Sequence, residues 1–124
     1  MVHLPDDLRQ EIIDHCAAAL PNEGCGMLAM DDDEVVKVYP TANDDASPSS
    51  YTVPPQEHFD AMTDAESKGW RLGGVFHSHP GGPARMSAVD LENAREPDWV
   101  YLVVGLGGPK PELRGWCSGV ELEI

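Results

Sequence analysis

The stretch from His77 to Asp90 (HSHPGGPARMSAVD) constrains this chain more than any other. Two histidines stand two apart, and on a strand residues at that spacing share one face, about 6.6 Å apart along the chain. Pro80 cannot donate to a ladder, so the strand ends there. Ser87 and Asp90 fit the S-x-x-D pattern that opens a helix, and only a short Gly/Pro loop lies between. The fold must therefore bring the end of a strand against the first turn of a helix, with two imidazoles on one and a carboxylate on the other. Imidazoles so placed can converge on one ion at about 2.0–2.1 Å each, and three protein ligands plus an open position is the pattern of catalytic rather than structural zinc. Singly, each residue has a plainer reading: His77 as a satisfied core histidine, Ser87 and Asp90 as a helix cap. Their combination is what points to a metal.

The rest of the chain supplies a setting for that unit. Pro5 to Leu20 reads as a helix, with Asp6 and Asp7 in its first turn, an apolar stripe of Leu8, Ile12, Ile13, Cys16 and Leu20, and Pro21 as its stop. Gly24–Met30 and Glu34–Tyr39 are apolar runs around Asp31-Asp32-Asp33, a hairpin pattern. Thr41 to Ser50 has loop composition and is expected to be the most mobile segment. Tyr51–Val53 reads as a short strand, and Pro55–Lys68 as a second helix ended by Gly69. Strands are expected at Arg71–Ser78, Trp99–Leu106, Leu113–Cys117 and Val120–Ile124, with a helix over Ser87–Arg95. Interspersed but not strictly alternating elements imply a mixed sheet flanked by helices, in a single domain over residues 1–124. His3, His15 and His58 read as surface or interhelical residues, and Trp70, Trp99 and Trp116 as packing.

Charge narrows the classes of partner. Eight Lys and Arg against 22 Asp and Glu leave a formal −14, which excludes nucleic-acid phosphate. At molar salt the screening length falls to about 3 Å and such self-repulsion becomes tolerable, so a salt-rich host cytosol is expected; an acidic face for a basic partner is the alternative. No apolar run of spanning length occurs, and the first residues carry no apolar signal segment, so a cytoplasmic protein is expected. Cys16, Cys25 and Cys117 are odd in number and lack C-x-x-C spacing, which argues against a disulfide framework or a cysteine zinc knuckle.

The pattern H-x-H-P-x6-S-x2-D, together with the upstream Glu23-Gly24-Cys25-Gly26, resembles the signature of the JAMM (MPN-plus) zinc metalloproteases. The resemblance implies an α/β (α+β) fold of the MPN/JAB1 type, a mixed sheet flanked by helices with cytidine-deaminase-like architecture. It implies Zn2+ held by His77, His79 and Asp90, Glu23 as general base, and Ser87 as the group that helps stabilise the tetrahedral intermediate. Met86 departs from the family, whose members often carry proline before this serine. The chemistry is coherent: zinc brings the pKa of water down to about 7, a glutamate takes its proton, and the hydroxide attacks an amide carbonyl. The implied substrates are peptide or isopeptide bonds after the C-terminal glycine of ubiquitin-like small modifier proteins, as in desampylases and deubiquitinases. Gly81-Gly82 and Arg85 are candidates to touch the substrate tail.

Alternative readings remain at this level. The chain could process sulfur-carrier ubiquitin-like proteins, or be a non-catalytic MPN module that binds a ubiquitin-like partner without cleaving it. A cysteine peptidase built on Cys25 needs a paired base and a lowered thiol pKa. A zinc nucleobase deaminase needs H-x-E and P-C-x-x-C, and neither occurs.

Overall fold

In the computed structural model, which describes residues 1–124, the elements run α1 (Asp6–Ala19), β1 (Cys25–Asp31), β2 (Glu34–Thr41), α2 (Pro55–Ser67), β3 (Arg71–His79), α3 (Ala88–Asn93), β4 (Val100–Gly105), β5 (Glu112–Cys117) and β6 (Val120–Leu122). The strands form one six-stranded sheet in the order β2-β1-β3-β4-β5-β6. Only β3 and β4 are parallel; the other neighbours are antiparallel. This is the mixed sheet flanked by helices that the interspersed pattern predicts.

Successive strand residues point to opposite faces, and the two faces carry different helices. Leu28 and Met30 join Ile12 and Cys16 of α1, Phe76 of β3 and Leu102 of β4 in the larger core. Met27 points the other way and packs with Leu72 and with Ala61 of α2, flanked by Trp99 and Tyr39. Asp64 pins α2 to the edge strand: it accepts from Lys37 Nζ (2.9 Å) and Tyr39 Oη (2.6 Å), and pairs with Lys68. These contacts hold its carboxyl well below the usual carboxylate range.

Several local expectations change. Pro5 sits outside α1 as its N-terminal flanking residue, and β3 continues through His79. The third helix is shorter than Ser87–Arg95, with Ser87 as N-cap and Ala94 as C-cap. Tyr51–Val53 is not a strand: Thr52 bonds back to Asp44 and Asn43, and Pro54-Pro55 then open α2, so no ladder partner is available to this segment. His15 is neither a surface nor an interhelical residue, because its Nε2 lies 3.0 Å from the carbonyl oxygens of both Cys25 and Thr41. It fastens α1 to the adjoining ends of β1 and β2. Thr41 ends β2 rather than opening a loop, and residues 42–50 form a loop laced by hydrogen bonds rather than a free tether.

Candidate metal centre

The parallel pair β3–β4 is joined through α3, so the C-terminal end of β3 faces the start of a helix. His77 and His79 extend from the same face of that strand end. Asp90 reaches them from the first turn of α3, fixed by a reciprocal cap: Ser87 Oγ accepts from the Asp90 amide (3.0 Å), and Asp90 Oδ2 accepts from the Ser87 amide (2.9 Å). The connecting loop lies directly on the end of β4, and this requires glycine. A Cβ at Gly105 would stand 2.3 Å from the Ala84 nitrogen, and one at Gly107 2.7 Å from the Gly81 carbonyl. The close approach brings the Pro83 carbonyl to His79 Nδ1 at 3.1 Å. With Nδ1–H donating there, Nε2 keeps its lone pair for the centre.

The three candidate ligand atoms make a nearly equilateral triangle. His77 Nε2 to His79 Nε2 is 3.2 Å, His79 Nε2 to Asp90 Oδ2 is 3.0 Å, and His77 Nε2 to Asp90 Oδ2 is 3.2 Å. Ligands at about 2.0–2.1 Å from a tetrahedral zinc stand about 3.3 Å from one another. The triangle therefore matches one face of such a tetrahedron, and the group is a candidate metal site by geometry as well as by donor type. Burial works to raise the pKa of Asp90, yet hydrogen bonds from His77 and His79 hold it well below the ordinary range, and that of His79 is raised by Asp90 in turn.

Glu23 reaches this centre from the β1 flank of β3, opposite the flank occupied by β4. It precedes β1, which pairs with β3 in the register Cys25↔His77. Gly24 and Ser78 lock that junction reciprocally: Ser78 N–H donates to the Gly24 carbonyl (3.0 Å), and Gly24 N–H donates to Ser78 Oγ (2.9 Å). Glu23 is only 6 % exposed. Burial pushes its carboxyl pKa up to about 7, against the opposing pull of His79. Together with Tyr51, His79, Ser87 and Asp90 it lines a groove of about 240 Å³. Larger hollows exist, among them one between β2 and α2 and one beside Asp31–Asp33, but none holds such a cluster.

Five residues singled out by sequence thus meet in one place. Gly81, Gly82 and Arg85 do not join them: Gly81 and Gly82 face Gly107 and Glu112 on the far side of the loop, and Arg85 is exposed. Cys25 is fully buried, its Sγ 3.4 Å from Thr41 Oγ1 and 3.3 Å from the Ala42 carbonyl, and burial pushes the thiol pKa above its ordinary 9. That is the opposite of what a cysteine nucleophile needs. Sequence reasoning missed Tyr51, whose ring stacks on His77 with centroids 4.6 Å apart and planes 16° from parallel. It also missed Ser49 and Ser50 on the groove wall. Position next to a loop of turn-forming residues was the only available signal.

A strand end carrying two histidines, a capped helix carrying the third candidate ligand and a buried glutamate opposite define a metallohydrolase-like centre on a mixed sheet. Residues 5–118 match the family of prokaryotic homologs of the JAB domain, and the chain belongs to that family. It is 36 % identical over 112 residues to the desampylase of Haloferax volcanii, covering 85 % of this chain and 81 % of that one. It is 31 % identical over 116 residues to the CysO-cysteine peptidase of Mycobacterium tuberculosis, covering 89 % and 77 %. The solution structure of a protein from Desulfitobacterium hafniense superposes with a TM-score of 0.81 at 40 % identity, covering 93 % and 82 %.

Proposed function

We propose that this chain, acting as one domain, is a cytoplasmic zinc metallopeptidase that hydrolyses the peptide or isopeptide bond after the C-terminal glycine of ubiquitin-like small modifier proteins. The observation that carries this reading is the juxtaposition of a tetrahedron-face triangle of ligands with a buried, proton-holding glutamate on one groove. His77, His79 and Asp90 would hold the metal, which when bound acidifies water and polarises an amide carbonyl. Glu23, with a pKa near neutrality, can take a proton from the attacking water and return it to the departing amine. Ser87 Oγ commits a lone pair to the Asp90 amide, which leaves its hydroxyl proton free to donate to the oxyanion as it develops.

Ubiquitin-like tails suit a narrow groove because they are extended and end in glycine. The desampylase of Haloferax volcanii supports isopeptide substrates, while the CysO-cysteine peptidase of Mycobacterium tuberculosis supports a second reading, processing of a sulfur-carrier protein. A purely binding module is disfavoured by the complete set of chemically competent side chains. The formal charge of −14 supports adaptation to a salt-rich cytosol.

The test is incubation of zinc-loaded protein with lysine conjugates and linear fusions of a diglycine-tailed modifier, with and without chelator. Release that is lost on chelation and restored by zinc is expected, and Glu23→Gln should keep the metal without turnover. Release that persists in chelator, or a Glu23→Gln variant that loses zinc, would refute the assignment.

A further inference from the structure

Glu23 belongs to no strand or helix, so no ladder fixes its backbone. Both of its main-chain groups go instead to the segment 42–52. Its N–H donates to the Ser47 carbonyl at 2.9 Å, and its carbonyl accepts from Asn43 Nδ2 at 3.1 Å. Asn43 does more than this. Nδ2 also donates to the Ser50 carbonyl (3.0 Å), while Oδ1 accepts from the Asp45 and Thr52 amides (3.0 Å each). All four contacts have matching polarity, and flipping the amide would set its NH2 against two N–H donors, so the orientation is fixed by the network. Asp44 N–H closes the loop onto the Thr52 carbonyl at 2.9 Å.

Ser50 and Tyr51, just before Thr52, and Glu23, two residues before β1, are those that line the groove. Ser50 and Tyr51 lie between the two halves of the Asn43 network, and Tyr51 stacks on His77. We propose that Asn43 is a positioning residue for this centre: one side chain holds the backbone of Glu23 on one wall and delivers Tyr51 against His77 on the other. The inference rests on the role proposed for Glu23 above. No other side chain in the loop makes as many hydrogen bonds. Ser47 Oγ and Ser49 Oγ bond only within it, to each other and to the Ser49 amide. Without the Asn43 side chain, the Ser47 carbonyl would be the sole hydrogen-bond partner of the Glu23 backbone in the loop, and the Asp44–Thr52 bond alone would hold the two ends of the loop together.

Two variants separate the tether from the turn. Asn43→Asp retains both acceptor contacts of the turn and loses both donor contacts, to Glu23 and Ser50. Asn43→Ala loses all four. Amide hydrogen exchange should quicken at least tenfold at Glu23 in both variants, and at Thr52 in Asn43→Ala only, with Met27 to Ala29 in β1 unchanged. In both, kcat on a modifier conjugate at saturating zinc should fall at least tenfold with KM within twofold of the parent, and in Asn43→Asp, which keeps the Thr52 contact, zinc affinity should also stay within twofold. In Asn43→Ala, the His77 ring protons should lose the upfield NMR shift that a stacked Tyr51 imposes. The proposal is overturned if the Glu23 amide stays protected in Asn43→Asp, if protection falls equally throughout β1, or if kcat holds while the amide is freed. Should the parent protein cleave no conjugate, the functional reading fails, and the exchange and ring-shift measurements still decide whether Asn43 holds Glu23 and Tyr51.

Discussion

Replacing the glutamate opposite the ligand triangle should make the metal-free protein more stable, and only above a definite pH. Burial holds the Glu23 carboxyl at about 7 where its ordinary value is 4.5. At 1.36 kcal/mol per pKa unit, ionising it in the folded state costs about 3 kcal/mol, or about 2 kcal/mol once screening at the open side of the groove is allowed for. The sign follows from linkage. Between pH 4.5 and 7 the folded chain keeps a proton that the unfolded chain has released, so parental stability falls as pH rises and the loss is complete above 7. Glutamine carries no such proton, and the Glu23 carboxylate takes part in no hydrogen bond that the change would remove. For a chain of this length about 2 kcal/mol corresponds to a rise of about 8 °C in Tm. Thermal melts of chelator-treated parent and Glu23→Gln, from pH 4 to 9 at constant KCl, should coincide at the acid end and diverge to that gap above pH 8. Zinc should narrow the gap, since a nearby cation favours the carboxylate. A difference independent of pH, or a variant less stable than its parent at pH 8, would refute the idea that the groove holds a desolvated glutamate.

Three further perturbations probe the neighbours. Iodoacetamide should leave activity intact while chelator removes it, because Cys25 Sγ is buried with a raised pKa; the reverse pattern in paired activity assays would reinstate a thiol mechanism. Ser87→Ala removes the hydroxyl that accepts from the Asp90 amide, so melts should record a loss of about 1 kcal/mol. Steady-state kinetics should record a fall in kcat of about 10²-fold if the same hydroxyl also donates in the transition state. Tyr51→Leu should weaken zinc about tenfold in chelator competition by freeing the His77 ring, while Tyr51→Phe, which keeps the stack, should bind as the parent does.

How much of this was legible in the sequence depends on how local each cause is. His77, His79, Ser87 and Asp90 lie within fourteen residues, and strand periodicity, a proline stop and a helix cap are all short-range effects. Their convergence follows almost directly from local rules, and so do the apolar runs of the six strands, although Tyr51–Val53 was expected as a seventh. Glu23 is different. It is one of ten glutamates, and what brings it to the groove is the antiparallel register Cys25↔His77, a pairing across more than fifty residues that no local pattern encodes. Only the family resemblance of the E-x-C-G segment singled it out. Tyr51-Thr52-Val53 has strand-forming side chains, yet Asn43 binds Thr52 and two prolines follow, so side-chain hydrogen bonding overrides propensity. His15 misled for a related reason: on a helix wheel it borders the apolar stripe, while its real partners are two carbonyls at adjoining strand ends, visible only once α1 lies on the sheet. The candidate ligand triangle is thus written into one contiguous stretch, whereas the groups that hold and bury Glu23 come from the 42–52 loop and from the junction of β1 with β3. A swap of the 77–90 stretch into an unrelated strand–helix unit would therefore be expected to transfer metal binding without transferring a glutamate held at about 7.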